Sequence, residues 1–98
     1  MDSIHYCTRQ LLLPDGTALT LEYRLLRELL ETKDGEPVCE NYGLLIRQSD
    51  GAAYACANVT TDDRLAEKFI RQMADGLVDA HEAGDVLEEL LGREYSLE

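Results

Sequence analysis

His81, Asp85 and Glu88 stand at i, i+4 and i+7 near the C-terminal end of a 98-residue chain. On a helix, that spacing puts an imidazole and two carboxylates on one face. A His–Asp pair so placed could orient the ring for acid–base work. The same pattern also describes a solvated helix start, with carboxylates placed to suit the helix dipole. His5 and Cys7, two residues apart, have a legitimate two-ligand spacing along one side of a strand, but a metal site needs three or four converging donors. The chain has no CxxC, HxxxH or HExxH run, and no glycine-rich loop opens a helix to cradle a phosphate. No Ser or Cys has an obvious His partner for nucleophilic catalysis. We therefore assign no catalytic, cofactor-binding or metal residue from sequence and expect no cofactor. His81, Asp85 and Glu88 stay as the alternative site.

Charge narrows the partners. Twenty acidic and nine basic residues give a formal charge of −11, and the stretch from Asp75 to Glu98 holds eight acids and one base. Affinity for phosphate backbones comes largely from Lys and Arg, so nucleic acid is a poor partner. A basic protein could bind the acids, which also serve simply to keep a small protein soluble. No apolar run nears the roughly 20 residues that span a bilayer, and Met1 to His5 lacks the basic, then apolar, start of a signal peptide. We expect a cytoplasmic protein without membrane contact. Three widely spaced cysteines, Cys7, Cys39 and Cys56, read as free thiols.

The elements that must position these groups are marked by three Asp-Gly pairs, Asp15-Gly16, Asp34-Gly35 and Asp50-Gly51. Asp-Gly suits a two-residue type I′ turn, so the first sixty residues read as four strands joined by three hairpins. Counting from a two-residue Asp50-Gly51 turn sets Ile46 opposite Ala55, Leu44 opposite Ala57 and Tyr42 opposite Val59, on an apolar core side. Gly43, Leu45, Arg47, Tyr54, Cys56 and Asn58 then share the other side. Counting around Asp34-Gly35 sets Leu25 opposite Leu44 and Tyr23 opposite Ile46. Leu21 and Leu29 continue that side, Arg27 interrupts it, and Pro37 falls near the turn. Counting around Asp15-Gly16 puts Tyr6, Thr8 and Gln10 on the core side, with room for a bulge to shift the register. Thr20 to Thr32 is rich in helix formers and also fits a helical stripe. The flanking hairpin signals decide for strand.

Two helices follow. Thr60-Thr61-Asp62-Asp63 offers a hydroxyl cap and acids for a first turn, and Leu65, Ala66, Phe69, Ile70, Met73 and Ala74 form one apolar face. Gly76 is placed to end that helix with positive φ. Asp79 caps the second helix with Glu82 three residues on. Ala83, Val86, Leu87, Leu90 and Leu91 make its buried stripe, and Gly92 ends it. One apolar sheet face and two apolar helix stripes predict a single α+β domain over residues 1–96: a four-stranded antiparallel meander with both C-terminal helices on one face, ββββαα. Leu97-Glu98 reads as an expression-tag remnant.

Tyr23-Arg24-Leu25, Tyr42-Gly43-Leu44, Val59-Thr60-Thr61-Asp62 and Asp85-Val86-Leu87-Glu88 together resemble the pattern of a family of small bacterial proteins, the domain-of-unknown-function family numbered 6514. The resemblance spans about residues 19 to 91. Family members often carry Thr-Pro where this chain has Asp79-Ala80, and a His where it has Glu82, with His81 one place early. The resemblance implies no activity.

With the helices on one side, Arg24, Leu26, Leu30, Leu45, Tyr54 and Cys56 are expected on the other. Large apolar groups on an uncovered sheet mark a contact surface. The expected function is a protein-interaction or self-association module without catalysis. Leu45 and Tyr54 anchor its surface, Leu26 lies beside them, and Arg24 and Arg47 form the rim. The alternative is a metal- or ligand-binding protein or enzyme with its site at the start of the last helix.

Overall fold

The computed structural model describes residues 2–30 and 39–94. The Asp34-Gly35 turn, Pro37, the Leu30 side chain and the Leu97-Glu98 pair lie outside them. Strands β1 (Asp2–Leu12), β2 (Ala18–Leu30), β3 (Cys39–Gln48) and β4 (Ala53–Thr60) precede helices α1 (Asp63–Asp75) and α2 (Ala83–Glu94). The strands form one antiparallel sheet in the order β1-β2-β3-β4, so the chain is an α+β domain of ββββαα layout. Thr20 to Leu30 is strand despite its helix propensity, because pairing on both sides and burial of alternate residues override a weak local preference.

Leu21 and Tyr23 of β2 and Leu44 and Ile46 of β3 are fully buried and face the helices. Their partners in the core are Leu65, Phe69, Ile70 and Met73 of α1, Val78 of the connector, and Ala83, Leu87 and Leu90 of α2. Helix α1 lies across all four strands and touches α2. The β2–β3 register follows the count made around Asp34-Gly35: Tyr23 pairs with Ile46 and Leu25 with Leu44.

The other two hairpins depart from the two-residue turn. Gly16 N donates to Leu13 O and Leu13 N to Thr17 O. Likewise Gly51 N donates to Gln48 O and Gln48 N to Ala52 O. Each loop therefore has three residues, a turn followed by a single glycine at positive φ, +87° for Gly16 and +96° for Gly51. Asp15 and Asp50 stay outside the left-handed region. Their carboxylates instead accept from the backbone two residues on, at Thr17 N and Ala52 N.

One extra loop residue slips the register by one and turns every side chain of the incoming strand over. Ile46 thus pairs with Tyr54 and Leu44 with Cys56, not with Ala55 and Ala57. Tyr54 and Cys56 lie on the helix side against the core, and Ala53, Ala55 and Ala57 lie on the other side. On β1, Thr8 and Gln10 likewise move off the expected core side, pairing with Glu22 and Thr20, while Cys7 and Leu11 pack towards the helices. A bulge between His5 and Cys7 lets Tyr6 keep its expected core contact. It also puts His5 and Cys7 on opposite faces, so the two-ligand spacing is lost.

A second irregularity separates Tyr42↔Thr60 from Leu44↔Cys56. Gly43 sits opposite it. A Cβ there would come within 2.8 Å of Ala57 Cα and closer still to the Cys56 carbonyl oxygen, so only glycine fits. Asn58, at φ +60°, carries the bend, and Val59 packs on the core although Thr60 takes its expected place opposite Tyr42.

The N-cap of α1 is Asp62, whose carboxylate accepts from Arg64 N and Leu65 N. The cap is thus a carboxylate and not the expected hydroxyl, and Thr60 Oγ1 accepts from Asp62 N. Gly76 closes α1 at φ −88°, and the left-handed residue is Leu77 at φ +53°. Asp79 Oδ1 accepts from His81 N and Glu82 N, capping the turn that leads into α2. Gly92 does not end α2, which runs on to Glu94.

Candidate functional site

Among the described residues, no element covers the sheet face opposite the helices. Its side chains form cross-strand rows. His5, Arg24, Leu45 and Ala55 make one; Thr8, Glu22, Arg47 and Ala53 make the next. Ser3, Leu26 and Gly43 make a third. Leu26 is 9% exposed and lies outside the core cluster, beside the glycine that leaves it room. Leu45 is half-buried beside the exposed Ala55.

A polar network borders these leucines. Arg24 donates through Nη2 to the Ser3 carbonyl oxygen at 3.0 Å, through Nε to Ser3 Oγ, and through Nη1 to Glu22 Oε1 at 3.3 Å. Arg47 Nε donates to the same Glu22 oxygen at 3.0 Å, and its Nη2 donates there too. The Arg47 hydrogen bond, with the positive charge of Arg47 and then Arg24, holds the Glu22 carboxyl below its ordinary value. Glu22 is therefore a fixed anion and a poor proton donor near neutral pH. Its work is to hold the two guanidinium groups in place beside Leu45. A shallow depression of about 280 Å³, lined by Thr20, Glu22, Arg47, Gln48 and Ser49, opens at one end of this network.

Arg24, Leu26, Leu45 and Arg47 thus share the surface expected of them, and Tyr54 does not. Its ring lies on the helix side, 3.5 Å from where a Cβ on Gly84 would stand, and burial raises its phenol pKa. Glu22 and the Ala53, Ala55 and Ala57 row were missed. Pro14, whose fixed φ suits the second position of a type I turn, marks the three-residue loop of the first hairpin, whereas the loop that sets the alanines has Ser49 there and carries no such mark.

The start of the last helix is built differently. His81 lies in the turn before α2, while Asp85 and Glu88 stand exposed on the helix. Among the described residues, no three His, Cys, Asp or Glu side chains come close enough to hold a metal ion. The Ala52 amide and the Gln48 side chain lower the Asp50 pKa, with His81 a smaller contributor. Gln48 joins the two regions. Its Oε1 accepts from Ala80 N at 2.5 Å and its Nε2 donates to Asp50 Oδ1 at 3.1 Å. This corner fastens the helix connector to the β3–β4 hairpin. Among the described residues, no helix is long and apolar enough to cross a membrane.

The positions that carry the family resemblance are largely explained by packing. Tyr23 and Leu44 are core, Gly43 faces the β4 irregularity, Asp62 is a helix cap, and Leu87 is buried under α2. No curated protein and no solved structure matches the chain. The family model described as a family of unknown function, DUF6514, matches residues 3–93, and the chain belongs to that family.

Proposed function

We propose that this protein is a non-catalytic interaction module whose contact surface is the sheet face opposite the helices. Leu45 and Leu26 form its apolar centre, and Arg24 and Arg47 its charged rim. The observation that carries the reading is the state of Glu22 and its two arginines. Both arginines are already hydrogen-bonded to Glu22, and Arg24 also to Ser3, so the face presents pre-organised arginine side chains around a leucine. Such a face binds through shape and apolar contact, with further guanidinium N–H groups able to donate to a carboxylate or carbonyl oxygen of a partner. The protein acts inside the cell on this reading. A photo-crosslinking residue placed at position 45 tests it. It should give a discrete adduct in a cell extract, and the same residue at Glu67, exposed on α1, should not. Equal labelling from both positions, or none from position 45, refutes the reading.

A further inference from the structure

We infer that β4 is a self-pairing edge: two copies of this chain join through antiparallel β4–β4 contact, extending the sheet across a two-fold axis. This contact lies at the sheet edge, not on the sheet face proposed above, and it goes beyond that reading without depending on it.

The edge is open and its polar groups point outward. Strand β4 pairs only with β3 among the described residues. Gln48 and Ala52 form a hydrogen-bonded pair. Since bonded and non-bonded pairs alternate along an antiparallel ladder, Ile46/Tyr54 and Leu44/Cys56 are bonded as well. The N–H and C=O groups of Ala53, Ala55 and Ala57 are then directed away from β3, towards the free edge. All three alanines are exposed.

Along its alanines the edge also lacks the charges and prolines that normally stop strand pairing, and its one irregularity falls past Cys56, where Asn58 takes φ +60°. From Gly51 to Thr61 no residue is charged and none is proline, in a chain of net charge −11. The other edge strand, β1, carries Asp2, Arg9 and a bulge at Tyr6. So the acidic chain keeps one neutral strand, placed at an edge.

The occupant that fits is a second copy. With Ala55 opposite Ala55 of a second copy, Ala53 meets Ala57 and the reverse, so only methyl groups line up on the open face. Tyr54 meets Cys56 on the helix side. Asp50 and Asp62 flank the neutral segment, and in this register Asp50 falls opposite Thr60 and Asp62 opposite Gln48, so no acid directly faces another. A parallel partner would set Asp50 against Asp50. The ladder holds about six hydrogen bonds. It buries less than the roughly 1,200 Å² of a standard stable interface, so the dimer is weak and concentration-dependent. It also joins the two open faces side by side into one continuous surface.

Sedimentation velocity on the whole chain, from low to high micromolar concentration, tests this. A monomer–dimer equilibrium is expected, strengthened by added salt as the −11 charges are screened. Ala55→Pro removes an N–H that β3 does not use and should weaken dimerisation at least about tenfold. Ala53→Pro is the second variant, should the first fail to fold by circular dichroism. Leu45→Arg, which alters the face but not the edge, should still dimerise. Amide exchange should show protection at Ala53, Ala55 and Ala57 that grows with concentration. A wild-type chain that stays monomeric at high micromolar concentration overturns the inference. So does a dimer that survives both proline variants, or one lost in Leu45→Arg alone. In each of these cases the crosslinking result at position 45 still decides the interaction reading separately.

Discussion

The hydroxyl of Tyr23, at the centre of β2, donates to the carbonyl oxygen of Val78, 2.8 Å away in the connector between α1 and α2. Both residues are buried, so one side chain ties the sheet to the turn that aims the last helix. Burial raises the Tyr23 pKa to about 12. Tyr23→Phe leaves the Val78 carbonyl without this donor and should cost about 1–3 kcal/mol in denaturant unfolding. The pH dependence has a definite sign. The folded state holds the phenolic proton more tightly than the unfolded chain, so this contribution is complete below pH 10 and is lost as pH rises towards 12. The loss amounts to about 2–3 kcal/mol. Tyr23→Phe should flatten that alkaline decline, measured as melting temperature against pH.

Gly43 offers the sharpest steric test. Its missing Cβ would press on the backbone of Cys56 and Ala57, which cannot rotate aside as a side chain could. Gly43→Ala should destabilise by about 3 kcal/mol or more. Amide exchange should rise first at the β3–β4 pairing around Leu44.

Gly84 should behave in the opposite way. A Cβ there finds the Tyr54 ring at 3.5 Å, an ordinary contact distance. Gly84→Ala removes a poor helix former from the first turn of α2 and adds a methyl contact to β4. A gain of up to about 1 kcal/mol in unfolding free energy is expected.

Asp50 should register acid. Its carboxylate accepts from Ala52 N and Gln48 Nε2, and these bonds lower its pKa. A depressed pKa in the folded state gives stability that is complete above the unfolded value of about 4 and is lost as pH falls through the folded value. Asp15 and Glu22 are shifted the same way by Thr17 and Arg47. Thermal stability should therefore decline below about pH 4. Asp50→Ala should be less stable at neutral pH and decline less steeply in acid.

Element identity and order were legible in the chain itself. Alternation and Asp-Gly punctuation marked four strands, 3.6-residue spacing marked two helices, and counting through the middle hairpin set Tyr23 against Ile46 and Leu25 against Leu44. These follow from local periodicity, which any segment carries within itself. The placement of Arg24, Leu26, Leu45 and Arg47 on one face came with it. Which way β4 and the far part of β1 face was settled only in the folded sheet. An Asp-Gly pair is compatible with a two-residue or a three-residue loop, and the difference of one residue turns a strand over. The fold takes the longer loop at Asp50-Gly51 because Tyr54 and Cys56 then fill the space beneath the helices, while three alanines, with little apolar surface to bury, can stay at the wet edge.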